Sequence, residues 1–443
     1  MWFIFLLQLL VLGLAGFVGC WAAQRVGLPR IVGGVLAGML LGPMVLGEIS
    51  PGAYHYLFAG RYQLFELEQE FLNERHAARE VLEATGVTPV ALVEFDAQTR
   101  AELRQMRIDA DVREGPSTPQ RVTRALTFAA GAAVLAAVGL AAPLRRFRRD
   151  VIEPLPTALG SAITAGVLAA CLGWLLIYFR WVEPARPSLW LAGMAAGCAV
   201  AAAPIARRLI ERLNFDYQSP PPEPPVNGTL PVARHAWNAA ALSVLLAMLA
   251  VVVLAAWPVV ERSEQWVSRI VPLGYAAGAL IVLIASMVVA ALALQGPPRP
   301  RRKPGGAWSG LFGVGEPLLL AIAGLHLNFT LGFSWLLLLA AWLAFGDGKA
   351  LGGVLGARLI AGRPWPEAWQ IGVLLAPGGA TTLLVALLLR QAQVIDHELY
   401  AALVLAAVIA ALLAGPELSL MMRWADDAAG HSADPPRADS NSA

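Results

Sequence analysis

The sequence predicts an all-α protein that crosses a membrane many times. Three observations carry this. Of the 443 residues 57% are hydrophobic and only 14% charged, too little charge to clothe a soluble chain of this size. Apolar runs of about 20 residues, the length that crosses the hydrocarbon core of a bilayer, recur along the chain. Two of those runs, in corresponding halves, are broken by Pro and Gly, the pattern of a transporter whose helices are interrupted at mid-membrane.

About eleven spans follow from hydropathy: 2–23, 29–47, 125–143, 155–178, 187–209, 235–257, 270–294, 307–326, 333–360, 368–389 and 398–422. The first, "MWFIFLLQLLVLGLAGFVGC", lacks the basic start of a cleaved signal, and Phe17 sits badly for lipid attachment at Cys20. An uncleaved span is therefore expected. The second, "RIVGGVLAGMLLGPMVLGEISPG", is crowded with small residues. Gly33, Gly34, Gly38 and Gly42 include small-xxx-small spacings on one helical face. They predict a packing surface that lets helices touch without bulky side chains, not a chemical site.

Residues 53–124 interrupt the apolar pattern. They are polar and net acidic, and read as two amphipathic helices around a Thr-Pro break. Such an insertion serves as a sensor or lid, or simply packs on the outer face. The domains expected are thus 1–52 (two spans), 53–124 (soluble α-helical insertion), 125–422 (the core and remaining spans) and 423–443 (a polar, disordered tail). Between two spans, "SPPPEPPVNG" predicts a semi-rigid extended connection.

Arginines fix the expected orientation. One set of alternate loops holds Arg25, Arg30, "RRFRR", Arg207, Arg208, Arg212, Arg234, "RPRRK", Arg358 and Arg363; the other holds Arg180, Arg186, Arg262, Arg269 and Arg390. The bias puts the first set in the cytoplasm, with the N-terminus outside, the C-terminus inside and the insertion outside. Cys20, Cys171 and Cys198 all lie in apolar segments and read as packing residues. No nucleophile–base set, metal-ligand cluster or phosphate loop is present in the pattern, so neither an enzyme, a cofactor nor a bound metal is expected, and the net charge of +2 does not point to nucleic acid.

Candidate site residues come from two arguments. A Pro removes a backbone donor and frees a carbonyl, which can coordinate a cation at a helix break. That selects Pro204 in "AAAP" and Pro377 and Gly378 in "APGG". Ionisable groups within a span are costly and so are candidates for function. Lys349 lies near the middle of the 333–360 span, with Asp347 two residues earlier between glycines. Both also fit a helix end near water. Glu316 and His326 are expected nearer the interface. A buried ammonium needs a partner, and the expected partners are Asp347, Asn238 or the carbonyls near Pro377; the alternative is a lysine that is neutral part of the time.

"GLPRIVGGVLAGMLLGP", from Gly27, resembles the second membrane segment of the monovalent cation:proton antiporter superfamily, in its Kef-like and sodium/proton exchanger branch. "EPLLLAIAGLHLNF", "GKALGGVLGARLIAGRPWPEAWQIGVLLAPGGATTLLVALL" and "YAALVLAAVIAALLAGPEL" are similar to the segments that close that family's membrane domain, and "VGLAAPLRRFRRD" is a weaker likeness. The resemblance covers most of the membrane part and none of 53–124. It implies two inverted repeats with two interrupted, crossing helices, in about 11–13 transmembrane helices. It also implies a homodimer, an elevator-type movement of a core bundle, and exchange of Na+ or K+ for protons across, most simply, a bacterial inner (plasma) membrane. Lys349 falls on the family's core-helix lysine, which pairs with or competes for an ion-binding carboxylate.

The chain departs from the family where ions bind. Asn238 and Ala239 stand where the acid pair falls, "VAAAP" replaces the polar motif of the first break, "GLAAP" replaces the "G-L-E-x-D" pattern, and "PGG" has lost an arginine. Asn238 cannot titrate, whereas coupling needs a group that takes either a proton or a cation. The competing expectation is therefore a transport-incompetent relative acting as a membrane sensor or scaffold through its outer insertion.

Overall fold

The computed structural model describes residues 2–59, 62–85, 95, 98–99, 102, 117–141, 151–184, 186–200, 229–261, 266–293, 307–329 and 333–432. The described residues are helical, with no strand among them. A helix stands at each of the eleven expected spans. In chain order the longer helices are α1 (Trp2–Arg25), α2 (Arg30–Leu40), α3 (Tyr62–Ala84, within the insertion and at no expected span), α4 (Thr118–Ala141), α5 (Leu155–Tyr178), α6 (Pro187–Ala199), α7 (Thr229–Glu261), α8 (Trp266–Ala293), α9 (Ala307–Leu325), α10 (Trp335–Ile360), α11 (Trp365–Leu375) and α12 (Ala380–Gln391), which share one span, and α13 (His397–Ser432). Among the described residues seven helices are each long and apolar enough to cross a membrane, and α11 with α12 forms a bent pair that passes as an eighth. The protein is an all-α polytopic membrane protein.

Local sequence sets the helix ends. Gly27, at φ +83°, ends α1 in the left-handed conformation that a glycine adopts without strain, and Pro29 then leads the chain into α2. Prolines at the first turn start α5, α6 and α11, where a missing N–H is harmless. Ser334 caps α10 by accepting from the Leu337 amide at 3.3 Å, and Asp396 caps α13 by accepting from Leu399 at 2.9 Å. Within α10, Ala344–Gly348 and Gly356–Ile360 are wound as π-turns, a local widening that changes which face each following residue presents.

The helices pack as two groups. In one, α1, α2, α4, α8 and α9 pack on each other; in the other, α5, α6, α7, α10, α11, α12 and α13 do. The second group contains the same order twice, a long helix, a short one ending at a break, then a long one: α5–α6–α7 and α10–α11/α12–α13. That order is consistent with two inverted repeats.

Glycines hold the first group together. A Cβ on Gly33 would lie 1.9 Å from the Gly19 carbonyl oxygen, and one on Gly38 would lie 2.0 Å from that of Ala321. Gly34 sits 2.5 Å, by the same measure, from the Leu320 Cβ, and Gly324 2.0 Å from the Val35 oxygen. Helices α1, α2 and α9 therefore meet backbone to backbone, the geometry small-xxx-small spacings permit.

Two anchors join other parts. Near the start of α1, buried Gln8 donates to the carbonyls of Leu57 and, at 3.2 Å, Pro119, while Thr123 donates to its Oε1 at 3.3 Å and Ser117 Oγ donates to the Ala59 carbonyl at 2.8 Å. Residues 57–59 and 117–119, where the chain leaves and rejoins the bundle, are thus held side by side. At the end of α9, side chains of the second group reach its carbonyls. Arg390 donates to His326 at 2.6 Å, Tyr400 to Ala323 at 2.7 Å, and His397 Nε2 lies 2.5 Å from the Asn328 oxygen.

Candidate functional site

The site is built where the second group's two breaks meet. Helix α6 stops at Ala199, and Val200 turns extended (φ −81°, ψ 122°), so its carbonyl leaves the helical ladder. Helix α11 stops before Ala376, Gly379 is extended (φ −162°, ψ −168°), and α12 resumes at a 50° bend. The break is tight. A Cβ on Gly378 would come within 2.6 Å of the Ala407 Cα on α13, so only glycine lets the chain pass there. Helices α6 and α12 pack on each other, and Thr382, in the first turn of α12, donates to the Val200 carbonyl at 3.4 Å. The free carbonyl of one break thus meets the start of the helix that follows the other.

Lys349 completes the cluster from α10. It is fully buried. Its Nζ donates to the Val200 carbonyl at 2.8 Å and lies 3.2 Å from the ring centroid of Phe345, one turn earlier and also fully buried. Three features favour the ammonium here. The carbonyl is an end group no longer used by its helix, the C-terminal end of α6 carries the negative end of its dipole, and the ring face attracts a cation. Among the described residues no carboxylate forms an ion pair with Lys349. From α7, Asn238 is buried, and its Oδ1 has no hydrogen-bond partner among the described residues. Thr381 on α12 and Cys198 on α6 are also buried, and Cys198 Sγ lies 3.9 Å from the Ala341 carbonyl.

The expected site residues sort themselves accordingly. Lys349 and Asn238 are buried in the second group, and Pro377 and Gly378 form its described break. Pro204 lies outside the described residues. Asp347 does not meet Lys349: it is exposed on α10, inside the π-turn Ala344–Gly348. The oxygen that Lys349 meets belongs to the first break, not to the carbonyls near Pro377. Glu316 is buried in the other group and pairs with Arg30 at 3.5 Å. His326 Nδ1 lies 2.9 Å from the Ile322 oxygen, at the end of α9. Sequence reasoning missed Val200, Thr382 and Phe345. Two signals for them were present: adjacent hydroxyls just after the second break, and an aromatic four residues before the lysine.

Residues 308–424 match the family model described as the transmembrane part of the sodium/hydrogen exchangers. The resemblance to the monovalent cation:proton antiporter superfamily is borne out. The antiporter match includes Lys349, Thr382 and the Pro377 break, and ends before α6 and α7 on its N-terminal side. A solved structure, that of the sodium proton antiporter MjNhaP1 from Methanocaldococcus jannaschii at pH 8, is similar at 12% identity and a TM-score of 0.48, over 95% of this chain and 97% of that one. No curated protein matches the chain.

Proposed function

We propose that the protein is a monovalent cation:proton antiporter in which Lys349 replaces the missing carboxylate as the group that couples the two ions. One observation carries the reading: a buried ammonium sits on the Val200 carbonyl with no counter-charge beside it among the described residues. A charge held inside a span is costly and is kept there for function, so on this reading the ammonium holds the exchangeable proton. When that proton leaves, the Val200 carbonyl loses the positive charge beside it, and the Thr382 hydroxyl and the Asn238 Oδ1 stand in the same group of helices as further oxygens. An alkali cation, Na+ or K+, takes the ammonium's position. The site then carries one positive charge in either state, so proton and cation compete for the same oxygen and exchange one for one. Movement of the second group of helices against the glycine-packed first group, in the elevator manner, would carry the site across the membrane. A homodimer in the inner membrane, with the arginine-rich loops in the cytoplasm, fits this reading.

The missing carboxylate equally favours a second reading, a transport-incompetent protein that acts as a sensor or scaffold through its outer insertion. Reconstitution in proteoliposomes with a trapped pH dye separates the two. Addition of Na+ or K+ outside should drive alkalinisation of the lumen in wild type and none in Lys349→Gln. Exchange that persists in the variant eliminates the lysine mechanism, and its absence in the wild type supports the scaffold reading.

A further inference from the structure

A second buried titratable group lies in the same group of helices as Lys349. His235, on α7, is buried, and its Nε2 lies 3.0 Å from Oγ1 of Thr157, which is fully buried in the first turn of α5. The two hold α7 and α5 together, but a threonine–asparagine pair or two apolar side chains would do as much without placing an imidazole inside a span. Ionisable groups in such positions are functional by default.

Its position relative to the site follows from helix geometry. His235 precedes Asn238 by three residues, so the two are neighbours on one face of α7, a turn apart. Thr157 packs on α10 where a Cβ on Gly356 would lie 2.9 Å from the Thr157 Cα. Gly356 follows Lys349 by two turns on the same helix, about 10 Å along its axis at 1.5 Å per residue. The His235–Thr157 pair therefore lies on the Lys349 side of the bundle, nearer the end formed by the starts of α5, α7 and α11 and the end of α10. That end carries the Arg358 and Arg363 side of the arginine bias. His235 is also the one histidine of α7, between Thr229 and Glu261. It thus stands on the helix from which the family's acids are missing.

The charged and titratable groups around it come from each neighbouring element. Arg363, in the turn before α11, acts on the ring electrostatically and is itself paired with Glu153 at 3.9 Å and Glu367 at 3.5 Å. Arg358, on α10, donates to the Arg363 carbonyl at 3.0 Å. Helix α10 also brings Lys349, α6 brings Cys198, and Arg390 closes the far end of α12.

We propose that His235 is the proton-transfer residue between Lys349 and the cytoplasmic water. The inference rests on the antiporter reading and adds its proton route. As the site opens to the cytoplasm, the N–H bond at Lys349 Nζ breaks and the proton passes through admitted water to the imidazole, which becomes an imidazolium. The imidazolium then releases a proton to the cytoplasm, and the neutral ring is restored. Thr157 holds the ring in place throughout.

His235→Gln tests this, because an amide can keep the Thr157 hydrogen bond but cannot carry a proton. In proteoliposomes loaded with a pH dye and challenged with Na+ or K+ between pH 6 and 8, the variant should lose about tenfold or more in maximal rate, a modest share of what acid–base groups contribute. Its half-saturating cation concentration, set at Lys349, should stay as in wild type. Thr157→Val, which keeps the ring but removes its bond, should lose less of the maximal rate than His235→Gln, again at an unchanged half-saturating concentration. A wild-type maximal rate in His235→Gln overturns the proton-transfer role while leaving the antiporter reading intact. Absence of exchange in the wild type overturns both together.

Discussion

Replacement of Gly38 by alanine is the sharpest test of how the first helix group is built. The added methyl would lie 2.0 Å from the Ala321 oxygen and 2.8 Å from the Gly324 Cα, all backbone atoms that no rotamer change can move. Ordinary contact begins near 3.4 Å, so α2 and α9 must part by about 1.4 Å. A gap of that size forfeits more than half of the dispersion along the seam, and overpacking of this kind costs about 3 kcal/mol. For a chain of this size the midpoint falls by roughly 2 °C per kcal/mol, so a loss of about 6 °C is expected. Gly13→Ala is the matched control. Its added methyl meets nothing within 4 Å, and alanine is the better helix former by up to about 1 kcal/mol, so the midpoint should hold or rise. Both are read by heating purified protein in detergent and following the loss of monodisperse material. Equal midpoints for the two variants would refute the backbone-contact account of α1, α2 and α9.

Two further outcomes follow. Lys349→Met replaces a buried charge with an apolar chain of similar shape. It should raise the thermal midpoint, in line with a gain of about 1–4 kcal/mol seen when buried charges are replaced by apolar groups, while abolishing exchange; a destabilised variant would mean that the ammonium is held better than its one carbonyl and ring suggest. Gln98 is exposed in the insertion, so cysteine placed there in a background lacking Cys20, Cys171 and Cys198 should react with an impermeant thiol reagent in intact cells. Labelling only after lysis would reverse the orientation read from the arginines.

Much of the fold could be read from the chain because spans are long and apolar, a property no neighbour is needed to detect. Gly33, Gly34 and Gly38 were legible for a related reason: a helix rich in the smallest residue makes sense only where another backbone presses on it. The Pro377 break was legible because proline forbids the ladder. The site was harder. Its central acceptor is a carbonyl, which every residue owns, so nothing in the letter Val at position 200 announces it, and the lysine that uses it is 149 positions away. Asp347 misled because it stands two residues from Lys349, and a π-turn with an exposed face is invisible in composition. His235 was passed over because its partner, Thr157, comes from another helix.

The paired roots at 57–59 and 117–119 have an architectural consequence. Because the Ser117 hydroxyl and the Ala59 carbonyl are 2.8 Å apart, the bundle perceives everything between them as a single turn, whatever its length. Closing a loop costs only about 0.6 kcal/mol more for each doubling of its length. The insertion is therefore a socketed module, whose length bears on the closure of this joint only through that small entropic cost.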